Sequence, residues 1–301
     1  MWLLFAFSGP VLWAASTHID KYLIERYFKR SSTAVLMVFT ALIGLLSLPF
    51  IWCFRPQVLD LPPVAIAVMM ASGMLYMGAM LFYLQAIQTE EASVVIPLFQ
   101  ASAVWSYALA FLLLGETLTG TQLVGGALVL VAGAALSFDP KKGFGRLKRG
   151  LVSRMLACTF ALALASVIFK FFAVNDEFWD TTFWTFAGEG LFGIAILAIP
   201  VYARQMRRLF RKNATALVSV NAANELINLG AGLGSRYALL FAPVAIVQAI
   251  TSTTTLFVFA FGVLLTLFLP QLGREDLSRR NLLQKAAGAL LVAVGIALVN
   301  G

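Results

Sequence analysis

Residues 92–114, ASVVIPLFQASAVWSYALAFLLL, have a counterpart inside the same chain in residues 242–264, APVAIVQAITSTTTLFVFAFGVL. At an offset of 150, seven of the 23 positions are identical: Ala92/Ala242, Val94/Val244, Ile96/Ile246, Ser102/Ser252, Ala110/Ala260, Phe111/Phe261 and Leu114/Leu264. The next stretch follows in the same order, Gly126-Ala127-Leu128 against Gly288-Ala289-Leu290 at an offset of 162. With Gly133/Gly295, Ala135/Ala297 and Leu136/Leu298 it gives six identities in eleven. Lys21 and Lys170 align at an offset of 149. Apolar sequence of low complexity matches itself by chance, so the glycines and the collinear order carry the argument for duplication. The rise in offset, 162 − 150 = 12, places an insertion in the connection 271–280.

What is duplicated is a set of membrane spans. The chain has 301 residues, 60% hydrophobic and only 12% charged, with a mean hydropathy of +0.88. A soluble domain holds about 45–50% apolar and about 25% charged residues. A spanning helix takes about 20 apolar residues. Runs of that size recur at 2–19, 33–54, 63–86, 92–114, 121–138, 151–173, 181–203, 214–240, 243–269 and 282–300. Arg55-Pro56, Pro62-Pro63, Gly115-Glu116, Asp139-Pro140, Asn175-Asp176 and Pro270-Gln271 punctuate them. The expected fold is an all-α membrane protein of ten transmembrane helices. Five spans per half is an odd number, so the two copies lie in opposite orientations as inverted repeats. The domain reading is 1–138 for the first repeat, 139–150 for a basic cytoplasmic linker and 151–301 for the second repeat. Little length is left over for an extramembrane domain.

Charge sorts by connection. Nineteen of the 22 Lys and Arg follow spans 1, 5, 7 and 9, leaving Arg55, Lys170 and Arg236 for the other side. Because Lys and Arg are retained on the cytoplasmic face, this predicts a multi-pass protein of the cytoplasmic (inner) membrane with both termini outside. The net charge of +8 therefore reports topology, and no nucleic-acid partner is expected. Cys53, Cys158 and a single histidine provide no metal or disulfide framework. The start of the chain reads as a retained first helix, since no basic segment precedes its apolar run.

Residues 92–98, continuing through Leu112-Leu113-Leu114-Gly115-Glu116-Thr117-Leu118 to Gly125-Gly126 and Gly133, resemble the repeat signature of the drug/metabolite transporter superfamily, EamA-like branch. The resemblance runs over essentially the whole chain. It implies a 5+5 inverted-repeat bundle around a central cavity, with spans 1, 3, 4, 6, 8 and 9 along the path and spans 5 and 10 peripheral. The second half departs from the signature, offering Gly273-Arg274-Glu275 inside its longer loop in place of a Gly-Glu pair. Many relatives look termini-in, so the direction of transport does not carry over.

An ionisable side chain at bilayer depth costs about 2.5–3.5 kcal/mol on insertion scales and needs a partner or a water-filled cavity. Glu189 in span 7 and Glu225 in span 8 are such residues. Asn221, Glu225 and Asn228 are spaced i, i+4, i+7 and share one helical face, with Asn224 beside them. This stripe is the expected substrate site, joined by Glu189, Tyr76, Gln100, Trp13, Gln248 and Thr251. Glu225, Glu189, His18 and Pro97 are the candidate coupling and gating residues. Each has a plainer reading as well: an interhelical hydrogen bond for Glu225, backbone satisfaction between close-packed glycines for Glu189, and core packing for Trp13. The Thr251–Thr255 hydroxyls could equally bond their own helix carbonyls. Asp20 carries a weaker signal near the inner end of span 1. Gly230-Ala231-Gly232-Leu233-Gly234 lies in an apolar span and is no nucleotide loop.

The functional expectation is a secondary transporter moving a small organic solute, cationic, zwitterionic or aromatic, by alternating access, with proton coupling as a further expectation. The alternative is a flippase for a lipid-linked head group. No cofactor, metal or catalytic residue is expected, and no enzyme, because no nucleophile–base pair is present to build one. Membrane lipid is the expected surrounding, and the protein would act as a monomer or homodimer.

Overall fold

The computed structural model describes residues 2–26, 33–89, 95, 98–137, 149–175, 177–268 and 278–300. It contains helices α1 (Trp2–Arg26), α2 (Thr33–Phe54), α3 (Pro63–Thr89), α4 (Ala101–Leu114), α5 (Gly120–Ser137), α6 (Arg149–Asn175), α7 (Phe178–Ala198), α8 (Pro200–Ala238), α9 (Val244–Thr251), α10 (Thr254–Phe268) and α11 (Arg279–Asn300). A short 3₁₀ turn spans Pro56–Leu59. Among the described residues there is no strand. Residues 139–148 of the expected linker, Pro97 and most of the 271–280 connection lie outside the described residues, while Arg149 and Gly150, expected in the linker, already belong to α6.

Seven helical segments are long and apolar enough to cross a bilayer: Trp2–Leu23, Ala34–Phe54, Pro63–Ala86, Gly150–Asn175, Phe178–Ala198, Val244–Phe268 and Leu282–Val299. Ala101–Leu114 and Gly120–Ala135 are apolar but shorter. The protein is thus an all-helical, multi-pass membrane protein. Its surface is inverted relative to a soluble fold. Phe54 (83%), Leu112 (73%) and Phe268 (77%) are exposed, while Asn221, Asn224, Glu225, Thr181, Thr182 and Thr253 are buried. Such a distribution suits apolar solvent outside and polar satisfaction inside.

Several boundaries differ from the hydropathy reading. The eighth run does not begin at 214, because α8 is a single helix of 39 residues, about 58 Å at 1.5 Å per residue. Arg204, Arg207, Arg208 and Arg211, expected in a loop, lie exposed on its first turns. These arginines and the asparagines further along keep α8 out of the seven apolar segments. The ninth run is interrupted, since Ser252 and Thr253 form a turn between α9 and α10. Their hydroxyls donate to Ala249 O at 2.6 Å and Ile250 O at 2.7 Å, and Thr251 and Thr254 do likewise to Val247 O and Thr251 O. Local back-bonding of this kind competes with a regular helical ladder.

Close packing follows the glycines. A Cβ on Gly125 would collide with Gly295 O, and one on Gly295 with Gly125 O, so α5 and α11 cross with their backbones in contact. Gly73 and Gly188 do the same for α3 and α7, facing Thr185 O and Met70 O. The remaining principal contacts join α1 to α8 and α10, α2 to α7 and α8, α3 to α6, α4 to α6, and α4 to α9. Gly115 ends α4 in the left-handed region at φ 67°, a conformation that costs a Cβ-free residue little.

Candidate functional site

Two buried polar clusters lie along α8. The first joins α8 to α1 and α2. Asn224 Nδ2 donates to Asp20 Oδ1 at 2.7 Å, and Ser16 Oγ makes a longer contact of 3.4 Å to Asp20 Oδ2. Thr40 Oγ1 donates to Glu225 Oε1 at 3.0 Å, and Asn228 Nδ2 reaches Glu225 Oε2 at 3.5 Å. The side-chain partners described for both acids are neutral, and the two carboxylates are close enough to interact electrostatically. Asn221 is 1% exposed with neither amide atom partnered, and Asn224 Oδ1 is likewise buried and unpartnered. The helical spacing that placed Asn221, Glu225 and Asn228 on one face thus brings them into the bundle interior, and Asp20 of α1 completes the group.

The second cluster lies three turns further along α8. Arg236 forms an ion pair with Glu189 of α7, and its guanidinium stands over the rings of Phe186 (4.9 Å), Phe169 (5.4 Å) and Tyr76 (5.8 Å). Glu189 does not rely on backbone groups of its glycine neighbours. Gly188, Gly190 and Gly193 instead let α7 approach Met70, Leu45 and Ala41, and an arginine neutralises the acid. Arg236 Nη1 and Thr185 Oγ1 are buried without a hydrogen-bond partner. Tyr76 lies between the clusters, within electrostatic reach of Glu189, Arg236 and Glu225.

The other expected site residues disperse. Gln248 Nε2 donates to Ser166 Oγ at 2.8 Å on α6. Gln100 stands with Ser252 against Gly133, where both would touch an added Cβ. Trp13 packs beside Gly9, and its carbonyl accepts the Thr17 hydroxyl at 2.8 Å. His18 Nε2 lies 3.0 Å from Val258 O and ties α1 to α10. Thr251 donates to its own helix.

In the sequence Asp20 carries a weak signal and Arg236 reads as a charge at a span end. Each had a signal. Arg236 is eleven residues beyond Glu225, a multiple of the helical turn, so it extends the same stripe. Asp20 lies within the 25-residue α1 rather than past the end of a helix stopping at 19.

Near the 2–3, 4–5 and 6–7 connections further ion pairs link elements. Arg55 meets Glu177 and, at 3.5 Å, Asp180. Lys170 of α6 meets Glu116 at 2.5 Å and donates to Ala242 O at 2.7 Å, while Glu116 accepts from Val244 N at 2.9 Å. A cleft of about 200 Å³ lined by Trp2, Gln122, Phe241 and Pro243 lies apart from both polar clusters.

Apolar helices with charged and amide groups buried between them are where membrane proteins keep functional polar residues. Residues 1–138 match the EamA-like transporter family, part of the drug/metabolite transporter superfamily, which agrees with the resemblance carried by residues 92–133. The family is one of membrane transporters of small solutes rather than enzymes. No curated relative matches the chain. A solved crystal structure described only as that of a protein superposes on 98% of this chain and 94% of its own, with a TM-score of 0.68 at 14% identity, a likeness of fold.

Proposed function

We propose that the chain is a ten-helix carrier of two inverted five-helix repeats that moves a small cationic, zwitterionic or aromatic organic solute by alternating access. The observation that carries the reading is the pair of carboxyl groups, Asp20 and Glu225, set among neutral partners inside the bundle of a transporter-family protein. Intramembrane acids of this kind mark substrate or ion pathways. Exchange of the halves supports the duplication. If α1, α2, α3, α4 and α5 correspond to α6, α7, α8, α9–α10 and α11, the α1–α8 contact becomes α6–α3, and α3–α7 becomes α8–α2. The α4–α6 contact becomes α9–α10 with α1, while α2–α7 and α5–α11 map onto themselves.

At the offset of 149 that aligns Lys21 with Lys170, Thr40 corresponds to Glu189, and at an offset of 152, which sets Met69, Gly73 and Tyr76 of α3 against Asn221, Glu225 and Asn228 of α8, Gly73 corresponds to Glu225. Thr40 against Glu225 and Glu189 beside Gly73 are then the same contact in the two halves. The acid has changed sides between them, so the path is chemically asymmetric.

Both termini outside is the orientation we favour. What supports it is the count of Lys and Arg itself, 19 on the inner side against Arg55, Lys170 and Arg236 on the outer. Uptake of a panel of radiolabelled amines, amino acids and aromatic cations by proteoliposomes tests the function. Saturable flux of a panel member that falls roughly tenfold or more in Glu225→Gln is expected. Equal flux in the variant removes Glu225 from the site.

A further inference from the structure

The Asp20–Glu225 cluster contains more oxygen than its own hydrogen bonds use. Asp20 Oδ2 and Glu225 Oε2 have contacts of only 3.4 and 3.5 Å, at the long limit of hydrogen bonding. Asn224 turns its Nδ2 to Asp20, which leaves the Oδ1 of the same amide beside that carboxylate, fully buried and unpartnered. Asn221, one turn earlier on the same face as Glu225, buries an amide with neither atom bonded. A buried polar group without a partner is costly, and several together need a common explanation.

No described cation supplies it. α2 and α10 contain no charged residue. On α1, Lys21 is exposed and His18 is directed at Val258 O. On α8, Arg204, Arg207, Arg208 and Arg211 are exposed, and Arg236 is held by Glu189. Tyr76 of α3 is the remaining titratable group within electrostatic reach of Glu225.

We infer that Asp20, Glu225 and the carbonyl oxygens of Asn221 and Asn224, with the Thr40 hydroxyl, form a binding site for a sodium ion. The donor set is all oxygen, which suits a hard cation and not the softer metals that nitrogen and sulfur select. Mg²⁺ sheds its water reluctantly and fits a dry interhelical site poorly. The inference rests on the carrier reading in one respect: a coupling ion must leave in every cycle, and a monovalent ion leaves one carboxylate for the solute's cationic group or a proton. In several secondary-transporter folds backbone oxygens within interrupted transmembrane helices hold Na⁺ near the bilayer midplane, and here side-chain oxygens take that part.

The test is thermal unfolding of the purified full chain in detergent, titrated with NaCl against choline chloride, KCl and CaCl₂ at constant ionic strength. Saturable stabilisation by Na⁺ alone is expected. Asp20→Asn should abolish it, and Asn221→Ala, which removes a side chain bonded to nothing, should weaken Na⁺ affinity roughly tenfold or more. No Na⁺ response, an equal response to choline, stabilisation by Ca²⁺ instead, or a Na⁺ response unchanged in both variants overturns the site. So does a response to pH alone that Asp20→Asn removes, which assigns the cluster to a proton. The readout requires no transport. Na⁺ binding lost in the variants upholds the site even if no solute moves, and an absence of flux then counts against the carrier reading alone.

Discussion

Glu189 and Glu225 are both buried carboxyls on transmembrane helices, and their neighbours give them different work. Glu189 has a guanidinium partner caged by Phe169, Phe186 and Tyr76, the arrangement of a structural ion pair. Removing one partner of such a pair leaves an uncompensated charge and costs about 3–5 kcal/mol. Arg236→Ala should therefore lower unfolding stability in detergent by that order, and Glu189→Gln in the same chain should recover a substantial part. A double variant no more stable than Arg236→Ala would show that the loss does not come from the uncompensated Glu189 charge. Among the described residues Glu225 takes its hydrogen bonds from neutral Thr40 and Asn228, so Glu225→Gln should fold normally and lose function. At this scale the sequence showed that acids lie at depth, since a carboxylate in an apolar run is conspicuous. Their partners were not legible, because Asp20 and Arg236 come from other helices or from span ends, and the pairing depends on how helices dock.

The helices themselves were legible where hydrophobicity was continuous. α2, α3, α6 and α11 begin and end close to their apolar runs. The departures occur where polar chemistry and the helical state coexist. Arginines on α8 remain helical although hydropathy reads a loop there. The hydroxyl-rich 251–255 run breaks α9 from α10 because its side chains bond the carbonyls behind them. Glycine patterns were informative too. Gly133/Gly295 supported duplication, and Gly125 with Gly295 proves to be the point where α5 and α11 touch. A side chain at either position must separate two backbones. Gly295→Leu is expected to cost about 1–3 kcal/mol, the range of overpacking, and to lower the melting temperature. Full retention of stability would mean that α5 and α11 do not cross there.

For the molecule as a whole, duplication, charge sorting and buried acids describe a single design. On the proposed inverted-repeat reading, two opposed halves offer the same contacts, and the acid–neutral swap between Thr40/Glu225 and Gly73/Glu189 makes the interior unequal. Ion pairs gather around the 2–3, 4–5 and 6–7 connections, where Arg55 and Lys170 each meet an acid, while Arg236 meets Glu189 between α8 and α7. The proposed orientation rests on charge, and a cysteine introduced at residue 145 into a chain lacking Cys53 and Cys158 tests it. Labelling by a membrane-impermeant maleimide only after the cells are opened is expected; labelling of intact cells would invert the topology.

The account stands most directly on the carboxyl pair. Proteoliposomes holding the wild-type chain, Glu225→Gln or Asp20→Asn, assayed side by side with the same panel of amines, amino acids and aromatic cations, measure its role. The account predicts saturable flux of a panel member by the wild type and a loss of roughly tenfold or more in each variant. Wild-type flux undiminished in both, or no flux of any panel member by well-folded wild-type protein, would contradict it.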